Sequence, residues 1–432
     1  MLNREIETIE RSELEKLQLT RFRFTLSQAF KTEFYKKRFS RIGLSSPEDI
    51  QQLSDIKKIP FTTKDDLREG YPEGFLAVHK DEVVRLHASS GTTGMPTVVH
   101  HTKRDLDNWT RLCTRSLIAT GATKSDTFQN MMTYGLFTGG LGLHYGAEAL
   151  GMLVIPAGAG NTKRQIQLMR DFKTTVVHAT PSYLLHMADE VAKEGITPPK
   201  LGLKKAMIGA EPHSENIRKK LEDIFKIDAY NSYGMSEMNG PGVAFECIAK
   251  DGMHLWEDAY YMEIINPESC ENLGEDCEGE LVLTTLEREA TPLIRYRTRD
   301  LTSVIAGLCS CGRTSRRIRR IKGRSDDMLI INGVNLFPSQ IEAILMKHPE
   351  VGTNYLIQIE KKSSLDKITV KTEIYPKLFS GEITDLDRVK KVIHDEIKSA
   401  CLVNASIEFH EPGSLPVSQG KAVRVSDLRK EE

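Results

Sequence analysis

The 432-residue sequence contains no run of about eighteen consecutive apolar residues, so an ordinary membrane-spanning helix is excluded. It has almost no net charge. Its 59 Lys and Arg stand against 60 Asp and Glu, which argues against a chain electrostatically committed to nucleic acid or an anionic membrane. The opening stretch MLNREIETIERSELEKLQLTRFRF is charged throughout and lacks the apolar core of a signal peptide, so a cytoplasmic protein is expected. Seven cysteines, an odd number in a long chain, do not suggest a secreted disulfide framework. Internal repeats and low-complexity tracts are lacking too. The most informative absence is one side chain. The stretch HASSGTTGMPTVVHH, residues 87–101, packs hydroxyls and glycines as phosphate loops do, yet Met95 stands where such a loop would carry lysine.

What is present points to two domains. Residues 1 to about 80 are densely charged and read mainly as helix, with Thr63 in IPFTTKDDLREGYP as an N-cap before an acidic first turn. From about 83 to 300 short apolar runs follow amphipathic segments: GMLVIPAG, TTVVHATP, KKAMIGAEP and DAYNSYG. That alternation predicts a mostly parallel sheet with covered faces. Between 260 and 306, YYMEIINPE and GELVLTTL alternate as antiparallel strands do. A boundary falls near KGRSDDMLIINGVN. Beyond it a helix at FPSQIEAILMKH, a strand pair at NYLIQIE and KITVKTEIY, a helix capped by Asp385 and a strand at ASIEFHE suffice for a small α+β domain. The fold class is therefore α/β, with domains expected at 1–325 and 326–432.

SSGTTGMP does not fit the Walker pattern, which needs Gly-Lys-Ser/Thr opening a helix. Pro96 follows, and TVVHH continues as a strand, so the loop reads as a turn between strands. Gly91 and Gly94 permit close backbone approach, while Ser89, Ser90, Thr92 and Thr93 offer hydroxyls to phosphate oxygens. A polar surface turn explains the same composition.

Further motifs follow in order: IGAEP at 208–212, YNSYGMSE at 230–237, YRTRD at 296–300 and GRSDD at 323–327. With the loop, they resemble the adenylate-forming superfamily of acyl-CoA synthetases. YGLFTGGLGLHYGAE, HATPSYLL, GAEP and INGVNLFPSQIE are most similar to phenylacetate-CoA ligases and related aryl-CoA ligases. The resemblance covers nearly the whole chain beyond about residue 50. It implies a large N-terminal adenylate-forming domain and a small mobile C-terminal one. It also implies a two-step reaction in which a carboxylate attacks the α-phosphate of MgATP, and CoA thiolate then displaces AMP.

By that resemblance, Ser89, Ser90, Gly91, Thr92, Thr93 and Gly94 hold the β- and γ-phosphates. Gly209, Ala210, Glu211 and Pro212 border adenine. Asn231, Ser232, Gly234, Met235 and Ser236 surround Tyr233, which stacks on the base. Glu237 ligates magnesium near Thr93, Asp300 accepts from the ribose, and Arg324 is a second ribose contact. Without the motif set, Glu237 would read as a cap or ion-pair partner, and Asp300 as a bridge to Arg295 or Arg299. Lys421 in LPVSQGKAVRV is implied as the catalytic cation at the α-phosphate, where negative charge grows in the transition state. Asp326 is implied as the hinge.

Tyr134, Phe137 and Tyr145 lie among Gly139 and Gly140, and with the family match they suggest a slot for an aromatic acid, phenylacetate first. Cys247, His254, Cys309 and Cys311 offer three thiols and an imidazole, a donor set that suits structural zinc. The expected cofactors are ATP, magnesium, CoA as co-substrate and zinc. The expected partners are an aryl carboxylic acid and CoA, with a homodimer as the candidate assembly. Two rivals remain. One is an adenylating enzyme that loads a carrier protein; the other is a zinc-stabilised nucleic-acid-binding module, prompted by seven cationic residues in RTSRRIRRIKGR, 313–324.

Overall fold

A computed structural model of the chain describes residues 1–89, 95–332, 334–362, 365–375, 383–416 and 423–430. The candidate site residues Ser90, Gly91, Thr92, Thr93, Gly94 and Lys421 lie outside the described residues. The chain forms two compact units, each assembled from separated stretches. The first comprises residues 1–159, 174–178 and 230–321; the second comprises 160–173, 179–229 and 322–432.

The first unit begins with helices Arg11–Ala29 and Glu33–Arg41, which bury Phe22, Leu26, Tyr35 and Phe39 completely. Each such side chain contributes about 1.5–3 kcal/mol relative to exposure. Thr63 caps helix Lys64–Glu69: its hydroxyl accepts from the Asp66 N–H, while the Asp66 carboxylate accepts from the Thr63 N–H. Strand Thr127–Asn130 runs parallel to both Leu153–Ile155 and Val176–Ala179, as the alternating sequence pattern predicts. Strands Val304–Ile305, Arg317–Ile318, Met253–Leu255, Gly240–Glu246 and Asp228–Met235 follow one another in antiparallel pairs. A second sheet contains the antiparallel strands Tyr260–Ile265, Gly279–Thr285 and Tyr296–Thr302.

Two features place the site. Strands Arg85–Ala88 and Val98–His101 pair antiparallel with Ala88 opposite Val98, so the Ser/Thr/Gly stretch does connect two strands and does not open a helix. Helix Gly139–Leu150 packs against helix Lys103–Ala119, and glycine is what allows it. A Cβ on Gly142 would lie 2.6 Å from the Trp109 ring.

In the second unit, strand Lys205–Gly209 leads to helix Glu215–Phe225. The C-terminal sheet has the order Ala405–His410, Leu365–Ile374, Val351–Lys362, Val425–Asp427. Helix Pro338–Leu345 buries Ile341, Ile344 and Leu345, and helix Ile383–Cys401 buries Val389, Ile393 and Ile397 at four-residue spacing. The latter helix starts at Ile383, so Asp385 sits inside its first turn and is not the cap expected from the sequence.

Candidate active site

In the first unit, Thr97 lies just before strand Val98–His101, beside Ser89 at the other side of the hairpin. The Thr97 hydroxyl lies 2.6 Å from Ser89 Oγ and donates to Glu237 Oε1 at 3.2 Å. Thr97 and Glu237 are both buried. Glu237 therefore neither caps a helix nor joins an ion pair among the described residues. Its carboxylate is held by a neutral hydroxyl, an arrangement that leaves acceptor capacity for a metal ion or a water.

Strand Asp228–Met235 carries Asn231, Ser232, Tyr233 and Gly234, and the short turn Ser236–Met238 carries Glu237. Tyr233 Oη donates to Asp300 Oδ2 at 2.6 Å, joining two motifs 67 positions apart. Arg295 pairs instead with buried Glu263 at 2.9 Å, and Arg299 approaches Glu280 at 3.6 Å. The two arginines beside Asp300 thus face other carboxylates.

Gly139 and Gly140 open helix Gly139–Leu150, which also carries Tyr145. A Cβ on Gly140 would sit 2.8 Å from the Thr133 carbonyl and 3.1 Å from the Tyr134 ring, so this glycine brings Tyr134 close. Tyr134 Oη lies 3.0 Å from His144 Nδ1, and Tyr145 Oη accepts from Arg85 Nη2 at 3.0 Å. Phe137 is 42% exposed. The Leu136 carbonyl accepts from the Ala88 N–H and lies 3.0 Å from His87 Nδ1, so this ring-bearing segment is tied to the hairpin strand.

In the second unit, Gly209 ends a buried strand and Ala210 adopts a left-handed φ of 66°. The Glu211 carboxylate accepts from Ser182 N–H at 2.7 Å and Ser182 Oγ at 2.9 Å, at the start of helix Pro181–Lys193. That fixes the GAEP turn, including Pro212, against the helix of HATPSYLL. Arg324 donates to both carboxylate oxygens of Asp326, at 2.8 Å each.

A second constellation lies in the first unit. The ligand atoms of Cys247, His254, Cys309 and Cys311 all fall within 4.8 Å of one another. Cys247 and Cys309 sulfurs are 3.6 Å apart, and Cys311 Sγ is 3.3 Å from His254 Nε2. A tetrahedral zinc site with metal–sulfur bonds of about 2.3 Å requires sulfur–sulfur edges of about 3.8 Å. His254 Nδ1 meets Ser315, with the carbonyl at 3.2 Å and the hydroxyl at 3.0 Å, which turns Nε2 towards the thiols. Hydrogen bonds from Cys247 and His254 lower the Cys311 thiol pKa against the effect of burial, which favours the thiolate that ligates metal. The donor set fits zinc in kind, number and spacing.

The comparisons agree with this geometry. A model of AMP-binding enzymes matches residues 37–285, and one of the AMP-binding enzyme C-terminal domain matches 333–429. A phenylacetate-coenzyme A ligase of Aromatoleum evansii is 46% identical over 99% of this chain and 97% of its own. The chain belongs to the phenylacetate-CoA ligase family. The corresponding ligase of Escherichia coli strain K12 is 44% identical over 98% and 97% of the two chains. A solved 2-hydroxyisobutyryl-CoA ligase in complex with 2-HIB-AMP has a TM-score of 0.92 at 27% identity, covering 99% of this chain and 92% of that one. The protein is an AMP-forming acid–CoA ligase with the adenylate-forming fold. Its carboxylic acid and ATP form an acyl-adenylate, and CoA takes the acyl group.

In this ligase the cationic run at 313–324 contributes a set of ion pairs. Arg313 pairs with Glu7, Arg316 with Glu257, Arg317 with Asp251 and Arg319 with Asp276. No described helix is long and apolar enough to cross a membrane. Sequence reasoning missed Thr97, whose hydroxyl joins Ser89 to Glu237; its place two residues beyond Met95, just before a buried strand, was the available signal. It also missed Ser315, which orients His254 and lies four residues beyond Cys311.

Proposed function

We propose that the acid is aromatic, with phenylacetate the first choice, and that the ligase couples it to CoA with release of AMP and pyrophosphate. The observation that carries this reading of the site is the Thr97 hydroxyl between Ser89 and Glu237, which ties the phosphate hairpin to a buried carboxylate. The aromatic preference is supported by Tyr134 and Tyr145 on either side of the close-packed glycines, and by relatives named for phenylacetate.

In this reading Ser89 to Gly94, including Thr93, hold the β- and γ-phosphates, and Glu237 is the protein ligand for magnesium. Bound magnesium supplies neutralisation of phosphate charge. Tyr233 stacks on adenine, Gly209 to Pro212 border it, and Asp300 with Arg324 receives the ribose. Lys421 is the cation aimed at the α-phosphate. Residues 1–325 and 326–432 act as the two domains with Asp326 as hinge. Zinc is a structural ion held by Cys247, His254, Cys309 and Cys311.

The test is acid-dependent pyrophosphate release across a panel of phenylacetate, benzoate, indole and short aliphatic acids, with and without CoA. Release with phenylacetate and thioester formation on adding CoA are expected. Preference for an aliphatic acid would reject the aromatic reading. Acyl transfer to a carrier protein but not to CoA would contradict the acceptor.

A further inference from the structure

Arg288 is a buried cation that contacts no carboxylate among the described residues. It is 3% exposed, and its acceptors are neutral: the Glu237 carbonyl at 2.5 Å, the Thr291 carbonyl at 3.4 Å and the Asn239 side-chain oxygen. The carboxylates that attract it, Asp105 and Glu237, act from beyond contact. Asp105 is itself occupied by the N–H groups of Thr102, Glu289 and Ala290. Burying a guanidinium without a touching counter-charge is costly, so a role in packing alone is a poor explanation.

Its acceptors share one location. Glu237 lies within the turn Ser236–Met238, and Asn239 follows it in the left-handed region at φ 75°. The Met238 carbonyl in the same turn accepts from Tyr260 Oη at 2.9 Å. Arg288 and Tyr260 thus supply donors to two successive carbonyls. Meanwhile Thr97 holds the Glu237 side chain from the hairpin. Glu237 is therefore clamped twice, by its carbonyl and by its carboxylate.

We propose that Arg288 is a positioning residue for adenylation, fixing the Ser236–Met238 turn so that the Glu237 carboxylate keeps the geometry magnesium requires. The inference rests on the reading of Glu237 as the magnesium ligand. Lysine at 288 preserves charge but loses the planar fork that spans two acceptors. A hydrogen bond involving a charged group contributes about 1.5–3 kcal/mol, so Arg288→Lys is expected to slow adenylation about tenfold to a hundredfold.

The experiment separates the half-reactions. Phenylacetate-dependent ATP–pyrophosphate exchange reports adenylation; thioester formation from supplied phenylacetyl-adenylate and CoA reports the second step. For Arg288→Lys the first should fall and recover in part at raised magnesium or with manganese, while the second stays within about twofold. Equal losses in both steps, or no loss, overturn the inference. Asn239→Gly, which removes one acceptor and suits the left-handed backbone, should give the same split at smaller size if Arg288→Lys does not fold. Glu237→Gln separates the two claims. Loss of adenylation for Glu237→Gln but not for Arg288→Lys overturns the inference alone; no loss for Glu237→Gln overturns both.

Discussion

Tyr233 Oη reaches Asp300 Oδ2 at 2.6 Å, so the ring proposed to carry adenine and the carboxylate proposed to carry ribose are one hydrogen-bonded unit. Tyr233→Phe keeps the ring and removes the hydroxyl that makes this bond, together with its weaker 3.8 Å contact to Met235 Sδ. The expected result is an ATP KM raised about tenfold, with the KM for the acid unchanged, because a hydrogen bond to a charged acceptor is worth about 1.5–3 kcal/mol. Asp300→Ala should cost more, since it also removes the acceptor itself. Initial-rate kinetics at varied ATP would check both.

Glu342 makes part of the second unit pH-sensitive. Its carboxylate accepts from Ser214 N–H at 3.1 Å and Tyr355 Oη at 2.9 Å, yet burial outweighs these bonds and pushes its pKa up from 4.5 to about 7. A folded-state pKa above the unfolded value gives stability that is present below about pH 4.5 and lost as pH rises towards 7. The loss is about 3 kcal/mol at most. Relative to wild type, Glu342→Gln should therefore gain stability between pH 5 and pH 8. Urea unfolding at the two pH values would show it; an identical difference at both would reject the titration.

The four-ligand cluster predicts one zinc per chain by metal analysis of the purified protein. Cys309→Ser should bind less zinc and lower the Tm by several degrees, on the order of 2–4 °C for each kcal/mol in a domain of this size. Chelator treatment should do the same to the wild type and leave Cys309→Ser largely unaffected. Zinc well below one equivalent would reject the site.

Met95 is 52% exposed and brings no charge to the end of the phosphate loop. Met95→Lys should lower the ATP KM by about threefold, the scale of a point charge in a solvated site, with kcat nearly unchanged. Steady-state kinetics with pyrophosphate detection would decide; an unaltered KM means the methionine is neutral for ATP.

Much of this architecture is legible in the sequence because its signals are local. The capping pair Thr63 and Asp66, the strand-forming runs and the buried Val389, Ile393 and Ile397 all declare themselves within a few residues. The motifs reveal the candidate site for the same reason. Arg288 and Glu342 are harder to find because their partners lie 51 and 128 positions away, at Glu237 and Ser214. The arginine-rich run misleads in one direction only. Composition records its cations, whereas Glu7, Glu257, Asp251 and Asp276 lie scattered elsewhere in the chain.

The pair between Glu7 and Arg313 has a consequence for how the protein is made. The Arg313 guanidinium donates to Glu7 across 306 positions, and Thr314 binds the backbone of the same N-terminal segment. A ribosome releases Glu7 early and must then add most of the first unit before its partner exists. Until then the helix Arg4–Glu7, a single turn, is too short to persist by itself. Residues made 306 positions ahead of their partner are thus among the last of the first unit to find their place.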